Sequence, residues 1–161
     1  MCTLIFISRY LYLPYSPTPL LPYSLMHHLR CVGLVGNETI SGSGGFDWII
    51  GARGEDELFG LEGNETIYGG KGDDILSGGL GHDFLSGDRG DDIFVLATGE
   101  GADTIADFNN GDDLIALSAG LTFSELSFAG NSILVDETKE ILATVTGVDT
   151  TTLTESDFVI V

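Results

Sequence analysis

Seven acidic residues recur nine positions apart: Glu38, Asp47, Asp56, Glu65, Asp74, Asp83 and Asp92. Each follows a glycine by two places, at Gly36, Gly45, Gly54, Gly63, Gly72, Gly81 and Gly90. Carboxylates beside glycine turns, whose main-chain carbonyls stay open, form a set of hard oxygen donors. Such a set, with no cluster of sulfur or imidazole beside it, selects calcium over transition metals. A flexible glycine turn also suits the about six to eight ligands of calcium better than the strict octahedron of magnesium. The competing reading, acids as a plain solubilising surface, does not account for a period this strict.

The elements that must hold these acids follow from the other columns. From Gly36 the chain reads GNETISGSG, GFDWIIGAR, GEDELFGLE, GNETIYGGK, GDDILSGGL, GHDFLSGDR and GDDIFVLAT. The fifth place is always large and apolar: Ile40, Ile49, Leu58, Ile67, Leu76, Leu85 and Phe94. The seventh is glycine in every unit but the last, where Leu96 stands. One apolar residue per unit, flanked by residues that point the other way in a strand, is buried only if strands of successive units stack. The unit is therefore a turn followed by a short strand, and no proline interrupts the ladder. One nonapeptide has no core of its own, so the array is a solenoid stabilised by its neighbours. Arg53, Lys71 and Arg89 fall in the ninth column of every second unit, 18 apart. This predicts two units per coil, with Glu38, Asp56, Asp74 and Asp92 on one edge and Asp47, Glu65 and Asp83 on the other.

The units GGKGDDILS (69–77) and GGLGHDFLS (78–86) resemble the hemolysin-type calcium-binding nonapeptide repeat of RTX exoproteins, G-G-x-G-x-D-x-U-x. The resemblance covers residues 36 to about 108. It implies an all-β fold, a parallel β-roll of two units per coil, with several calcium ions held between turns stacked along each edge. The implied ligands are the carboxylates of Asp47, Asp56, Asp74, Asp83 and Asp92, with Glu38 and Glu65. Main-chain oxygens of Gly69, Lys71, Gly72, Gly78, Leu80 and Gly81 complete the implied set. Glu38 and Glu65 carry one methylene too many for the Asp geometry and are expected to serve the weaker sites. Without calcium, carboxylates stacked at a strand spacing of about 4.8 Å repel one another, so the ion is expected to act as a folding switch.

After Leu96 the beat slips: two extra residues precede Gly101-Ala102-Asp103. The stretch to Ser118 resembles the closing segment that follows such repeats in type I secreted proteases and related exoproteins. The alternating stretches ELSFAG, SILVDE and ILATVTGV read as strands of a β-rich cap over residues 99–161. The terminal SDFVIV resembles an uncleaved type I secretion signal; a last edge strand is the alternative, and both can hold. These marks imply a secreted, extracellular protein and the type I secretion machinery as a partner.

Residues 1–35 differ in kind. They hold both cysteines, both methionines, all four prolines and no acid, leaving all 25 acids and only four bases to residues 36–161. Arg9 cuts the apolar run, no cleavage site follows, and four prolines within nine positions forbid a regular membrane helix. The segment is expected to be an irregular leader or the stub of a longer protein, the roll proper occupying 36–98. Cys2 and Cys31 lack metal-ligand spacing, and His27-His28 has no nearby ligands. The net charge of −19 excludes nucleic acid as a partner and points to cations. No H-E-x-x-H, no G-x-S-x-G and no Cys–His pairing in the repeats signals an enzyme. Three functions stay open: a calcium-binding module without catalysis, the C-terminal part of a larger exoenzyme such as a protease, lipase or epimerase, or a surface or adhesion element. The last would use an outward face of Trp48, Ile50, Tyr68 and Phe84, which could equally dock a partner or the leader, or lie under the C-terminal segment.

Overall fold

The computed structural model describes residues 29–161, which are all-β apart from three short 3-10 turns. The expectations for residues 1–28, including the irregular leader, lie outside these residues. Alternate units supply alternate sheets. β1 (Arg30–Val32), β3 (Trp48–Arg53), β5 (Thr66–Lys71), β7 (Phe84–Arg89) and β9 (Asp103–Ile105) lie side by side in one sheet. β2 (Thr39–Ser41), β4 (Glu57–Gly63), β6 (Ile75–Gly81), β8 (Ile93–Leu96) and β10 (Leu114–Leu117) form the other. All these pairings are parallel, and the register is the predicted 18: Ile49 pairs with Ile67 and Ile67 with Leu85, while Leu58 pairs with Leu76 and Leu76 with Phe94. The result is a parallel β-roll of about five coils.

The fifth column faces inward from both sheets. Ile40, Ile49, Leu58, Ile67, Leu76, Leu85 and Phe94 are all at most 1% exposed. They form a two-layer apolar seam. A single apolar side chain per nine residues leaves the edges to decide whether a coil holds.

Two boundaries differ from the sequence expectation. The ladder starts at Arg30, inside the segment assigned to a leader, because Cys31 and Gly33 occupy the fifth and seventh columns of a further unit. Leu29 stands where that unit would carry its acid, which hid it from a reading built on carboxylates. At the other end the roll runs past residue 98. Phe84 pairs with Thr104 and Ile93 with Leu114, shifts of 20 and 21 that absorb the inserted residues. β13 (Ile141–Val145) then continues the first sheet in parallel with β9, and β12 (Ser132–Val135) and β11 (Leu126–Ala129) follow it antiparallel. β14 (Phe158–Ile160) closes the second sheet beside β10. Phe123, Phe128 and Phe158 meet at centroid distances of 5.0 to 6.0 Å and tie the two ends together. Of the C-terminal strands, β11 to β13 therefore extend the first sheet and β14 the second. Trp48 and Phe84 stay 39% and 37% exposed on the outer face of the first sheet, each with its ring tilted and centred 5.9 Å from that of Tyr68 between them.

The turns force positive φ on the eighth column. Gly70 and Gly79 accept it freely, at 121° and 92°, but Leu61 is held at 87° with its side chain half exposed. Leu61→Gly is therefore expected to stabilise the roll, by roughly 0.5–1 kcal/mol net of the extra freedom glycine gives the unfolded chain. Thermal melts in saturating calcium check this, and a lowered midpoint would count against the strain.

Candidate metal centre

Along each edge the third-column carboxylates do two separate things with their two oxygens. One oxygen reaches back across the ladder to the N–H of the third-column residue one coil earlier. On the first edge Glu38 N–H donates to Asp56 Oδ1 at 2.8 Å, Asp56 N–H to Asp74 Oδ1 at 2.8 Å, Asp74 N–H to Asp92 Oδ1 at 2.9 Å, and Asp92 N–H to Asp113 Oδ1 at 2.9 Å. On the second edge Leu29 N–H donates to Asp47 Oδ1, Glu65 N–H to Asp83 Oδ1 and Asp83 N–H to Asp103 Oδ1, at 2.7 to 3.1 Å. These bonds fix the carboxylates in line.

The second oxygen is left over. Asp56 Oδ2, Asp74 Oδ2, Asp83 Oδ2 and Glu38 Oε2 are buried without any hydrogen-bond partner. A buried anion normally finds a countercharge or several donors. None is present: among the described residues the one ion pair is Lys139 with Asp136, on the exposed hairpin turn. Arg53, Lys71 and Arg89 align on neighbouring rungs but make no ion pair with the column. Burial accordingly pushes the carboxyls upward. Asp74 rises to about 6, with Asp56 beside it, and Asp92 to about 7, with Asp113 and Asp74 adding repulsion. Asp103 rises to about 7 next to Asp83 and Glu65 to about 8, again by burial first and Asp83 second. Asp56, Asp83 and Asp113 shift the same way for the same leading cause. Such a column binds either protons or cations.

The seventh-column glycines make room for the leftover oxygens. A Cβ on Gly51 would lie 2.5 Å from Asp56 Oδ2 and 2.6 Å from the Gly69 carbonyl; on Gly42 it would lie 2.6 Å from Asp47 Oδ2 and 2.5 Å from the Gly60 carbonyl. Any side chain would thus push out the carboxylate, and its absence lets carboxylate and carbonyl oxygens share one bay. No three His, Cys, Asp or Glu side chains converge among the described residues. Each bay is built from carboxylate plus main-chain oxygen, the donor mixture that suits calcium.

The residues expected to hold calcium lie along these two edges. Asp56, Asp74 and Asp92 line the first edge with Glu38, and Asp47, Glu65 and Asp83 the second. Gly69, Lys71 and Gly72 form a first-edge turn, and Gly78, Leu80 and Gly81 a second-edge turn. The Lys71 carbonyl is engaged by Gly54 N–H at 2.8 Å. Asp47 differs from its column mates, since Ser43 N–H and Oγ already satisfy its Oδ2.

Glu65 departs most. Both of its oxygens lack a partner, so it makes no bond to the N–H of Asp47 of the kind its column mates make. The extra methylene carries the carboxylate past the position from which Oδ1 acts elsewhere. Glu65→Asp is expected to restore the bond and to raise calcium affinity at the second edge severalfold. Isothermal titration checks this, and an unchanged binding curve would remove Glu65 from the weak bays.

Sequence reasoning missed three features. Asp103, noted above only as part of Gly101-Ala102-Asp103, and Asp113 continue the two columns after the beat has slipped, as the strand register and their hydrogen bonds to the N–H groups of Asp83 and Asp92 show. Asp107 gathers Ser86 Oγ and the N–H groups of Gly87 and Asp88 at 2.6 to 3.0 Å, closing the first edge. The second column, read as mere turn, carries a complementary ladder in the opposite sense. Asn37 Oδ1 accepts from Glu55 N–H, Asn64 Oδ1 from His82 N–H and Asp73 Oδ1 from Asp91 N–H, each one coil later. The recurrence of Asn and Asp at that place was the available signal. His82 is a clamp for the insertion, with Nδ1 3.0 Å from the Ala102 carbonyl and 3.2 Å from its N–H.

No curated protein matches the chain. Among solved structures, the AlgE6R3 subunit of the Azotobacter vinelandii mannuronan C5-epimerase is 25% identical, with 80% of each chain covered and a TM-score of 0.34. The extracellular lipase LipA of Serratia marcescens is 14% identical over 83% of this chain and 40% of its own, with a TM-score of 0.39. The RTX calcium-binding nonapeptide repeat family matches over residues 32–64 and 59–94. With its nine-residue beat, two-unit coils and twin columns of half-satisfied carboxylates, the stretch from residue 32 to 94 belongs to the RTX calcium-binding nonapeptide repeats.

Proposed function

We propose that this protein is a secreted calcium-binding module whose roll folds when it meets extracellular calcium. The observation that carries the reading is the row of buried, partnerless carboxylate oxygens on Glu38, Asp56, Asp74 and Asp83, which form no ion pair among the described residues. Calcium would be held by these carboxylates with Asp92, Asp47 and Glu65 and by main-chain oxygens of turns such as Gly69–Gly72 and Gly78–Gly81. The ion supplies charge neutralisation between coils, where the chain offers only like charges.

Extracellular modules of this affinity class bind calcium at roughly 10⁻⁴ to 10⁻³ M. At cytosolic levels such bays stay empty and the columns repel, so the chain remains competent for passage through a narrow exporter. Outside, several bays filling together favour the coiled state by linkage. The closing segment from residue 99 and the terminal SDFVIV support export by type I machinery. The roll itself acts by binding, and any catalysis linked to it belongs to a segment outside the repeats.

A calcium titration of the full chain followed by far-ultraviolet circular dichroism tests this. The expected result is a cooperative gain of β signal with calcium, reversed by chelator and not reproduced by magnesium at equal concentration. A spectrum indifferent to chelator would overturn the reading.

A further inference from the structure

Five asparagines lie in the chain, at 37, 64, 109, 110 and 131. Three are tied down through their side chains. Asn37 bonds to Glu55 through both ends of its carboxamide, Asn64 accepts from His82 N–H, and Asn109 Nδ2 donates to Asp112 at 2.6 Å. Asn131 is followed by Ser132, which is held in β12. Asn110, whose carboxamide like that of Asn131 makes no hydrogen bond, is the one asparagine followed by glycine, and both Asn110 and Gly111 are exposed. Gly111 sits at φ 105° in the turn between β9 and β10, with no side chain to shield its nitrogen. The main-chain hydrogen bonds of this turn run from Asp112 and Asp113 N–H to the Asn109 carbonyl, and Asn110 forms an isolated bridge with Asp113 while its side chain stays unbonded.

We propose that Asn110–Gly111 is a site of spontaneous deamidation that ages the last bay of the first edge. Solvent base takes the proton from the Gly111 main-chain nitrogen, which attacks Asn110 Cγ. A C–N bond forms, the Cγ–Nδ2 bond breaks, and ammonia leaves with a proton from water. The resulting cyclic imide takes up one water at either carbonyl, giving aspartate or isoaspartate. No electron donor or acceptor is needed. The isoaspartate product adds one methylene to the main chain at residue 110, three residues before Asp113 closes its ring of bonds. In that ring Asp113 Oδ2 accepts from Asn109 N–H at 2.8 Å and Oδ1 from Asp92 N–H at 2.9 Å. A longer main chain between Asn109 and Asp113 pulls the carboxylate off Asp92 and loosens the final coil. The product also places a new negative charge beside Asp112 and Asp113.

The test incubates the full, calcium-loaded chain at mildly alkaline pH, with peptide-resolved mass spectrometry and isoaspartyl methyltransferase labelling. Conversion is expected at Asn110 at least an order of magnitude faster than at Asn37, Asn64, Asn109 or Asn131, and Asn110→Gln should abolish it. Equal or faster conversion at another asparagine, or none at Asn110, would overturn the site. Aged parent protein should need more calcium to fold than Asn110→Gln aged alongside it. An identical calcium midpoint in fully converted material would overturn the link to Asp113.

Discussion

Asp74→Asn is expected to weaken calcium-induced folding by about tenfold or more in midpoint, and yet to leave the calcium-free chain more stable at pH 8 than the parent. The opposite signs follow from the two duties of the carboxylate. The carboxamide oxygen of asparagine can still accept the Asp56 N–H bond now made at 2.8 Å, so the ladder is kept. What leaves is the charge. Asp74 stands between Asp56 and Asp92 on the first edge, so its leftover oxygen serves where two bays adjoin. In calcium its loss removes a charged ligand; without calcium it removes a buried anion that has only other anions for neighbours, a gain on the order of 1 kcal/mol after allowing for solvent around the turn. The β content of parent and variant by circular dichroism in chelator, and their thermal melts in saturating calcium, decide the matter. An equal loss of stability in both conditions would mean that Asp74 acts through packing and hydrogen bonding alone.

How much of this was legible in the sequence depends on what breaks the beat. Where the nine-residue period runs undisturbed, Ile49, Ile67 and Leu85 could be placed on successive rungs from spacing alone, and the 18-residue recurrence of Arg53, Lys71 and Arg89 set two units per coil. The same period assigned Asp56, Asp74 and Asp92 to one edge. It could not show that Asp56, Asp74 and Asp83 each spend one oxygen on the ladder and keep one free, because that division depends on side-chain reach across neighbouring coils. Asp103 and Asp113 fell out of view for a related reason. Inserted residues bulge at the turns, which are free to lengthen, while the rungs they connect must stay in register. A period counted along the chain loses such residues; a hydrogen bond across the sheet does not. The coil around Cys31 was missed in the opposite way, since its apolar and glycine columns are in step but its acid is absent. Glu65 shows the limit of column logic: it occupies an acidic place and fails at the geometry that the place serves.

In chelator, acid should take the place of calcium. The calcium-free chain is expected to gain β structure as pH falls from 8 to 5, and to lose it again when the pH is returned. Glu65 at about 8, Asp92 and Asp103 at about 7 and Asp74 at about 6 all titrate well above the ordinary values of 4.5 and 3.8. The folded state therefore binds more protons than the unfolded chain across this window. The stabilising contribution of these groups is complete below about pH 4 and is lost as the pH climbs through 6 and 8. Glu125, Asp136 and Asp149 shift downward through local hydrogen bonds and have the opposite sign, but they act at lower pH, outside the window. With calcium present the slope should reverse, because protons and calcium compete for the same oxygens and binding weakens as the pH falls. Circular dichroism across that range, with and without calcium, resolves both arms. A calcium-free chain that loses structure on acidification would show that the columns find a countercharge other than protons or calcium, and the carboxylates would then have to be read as a scaffold.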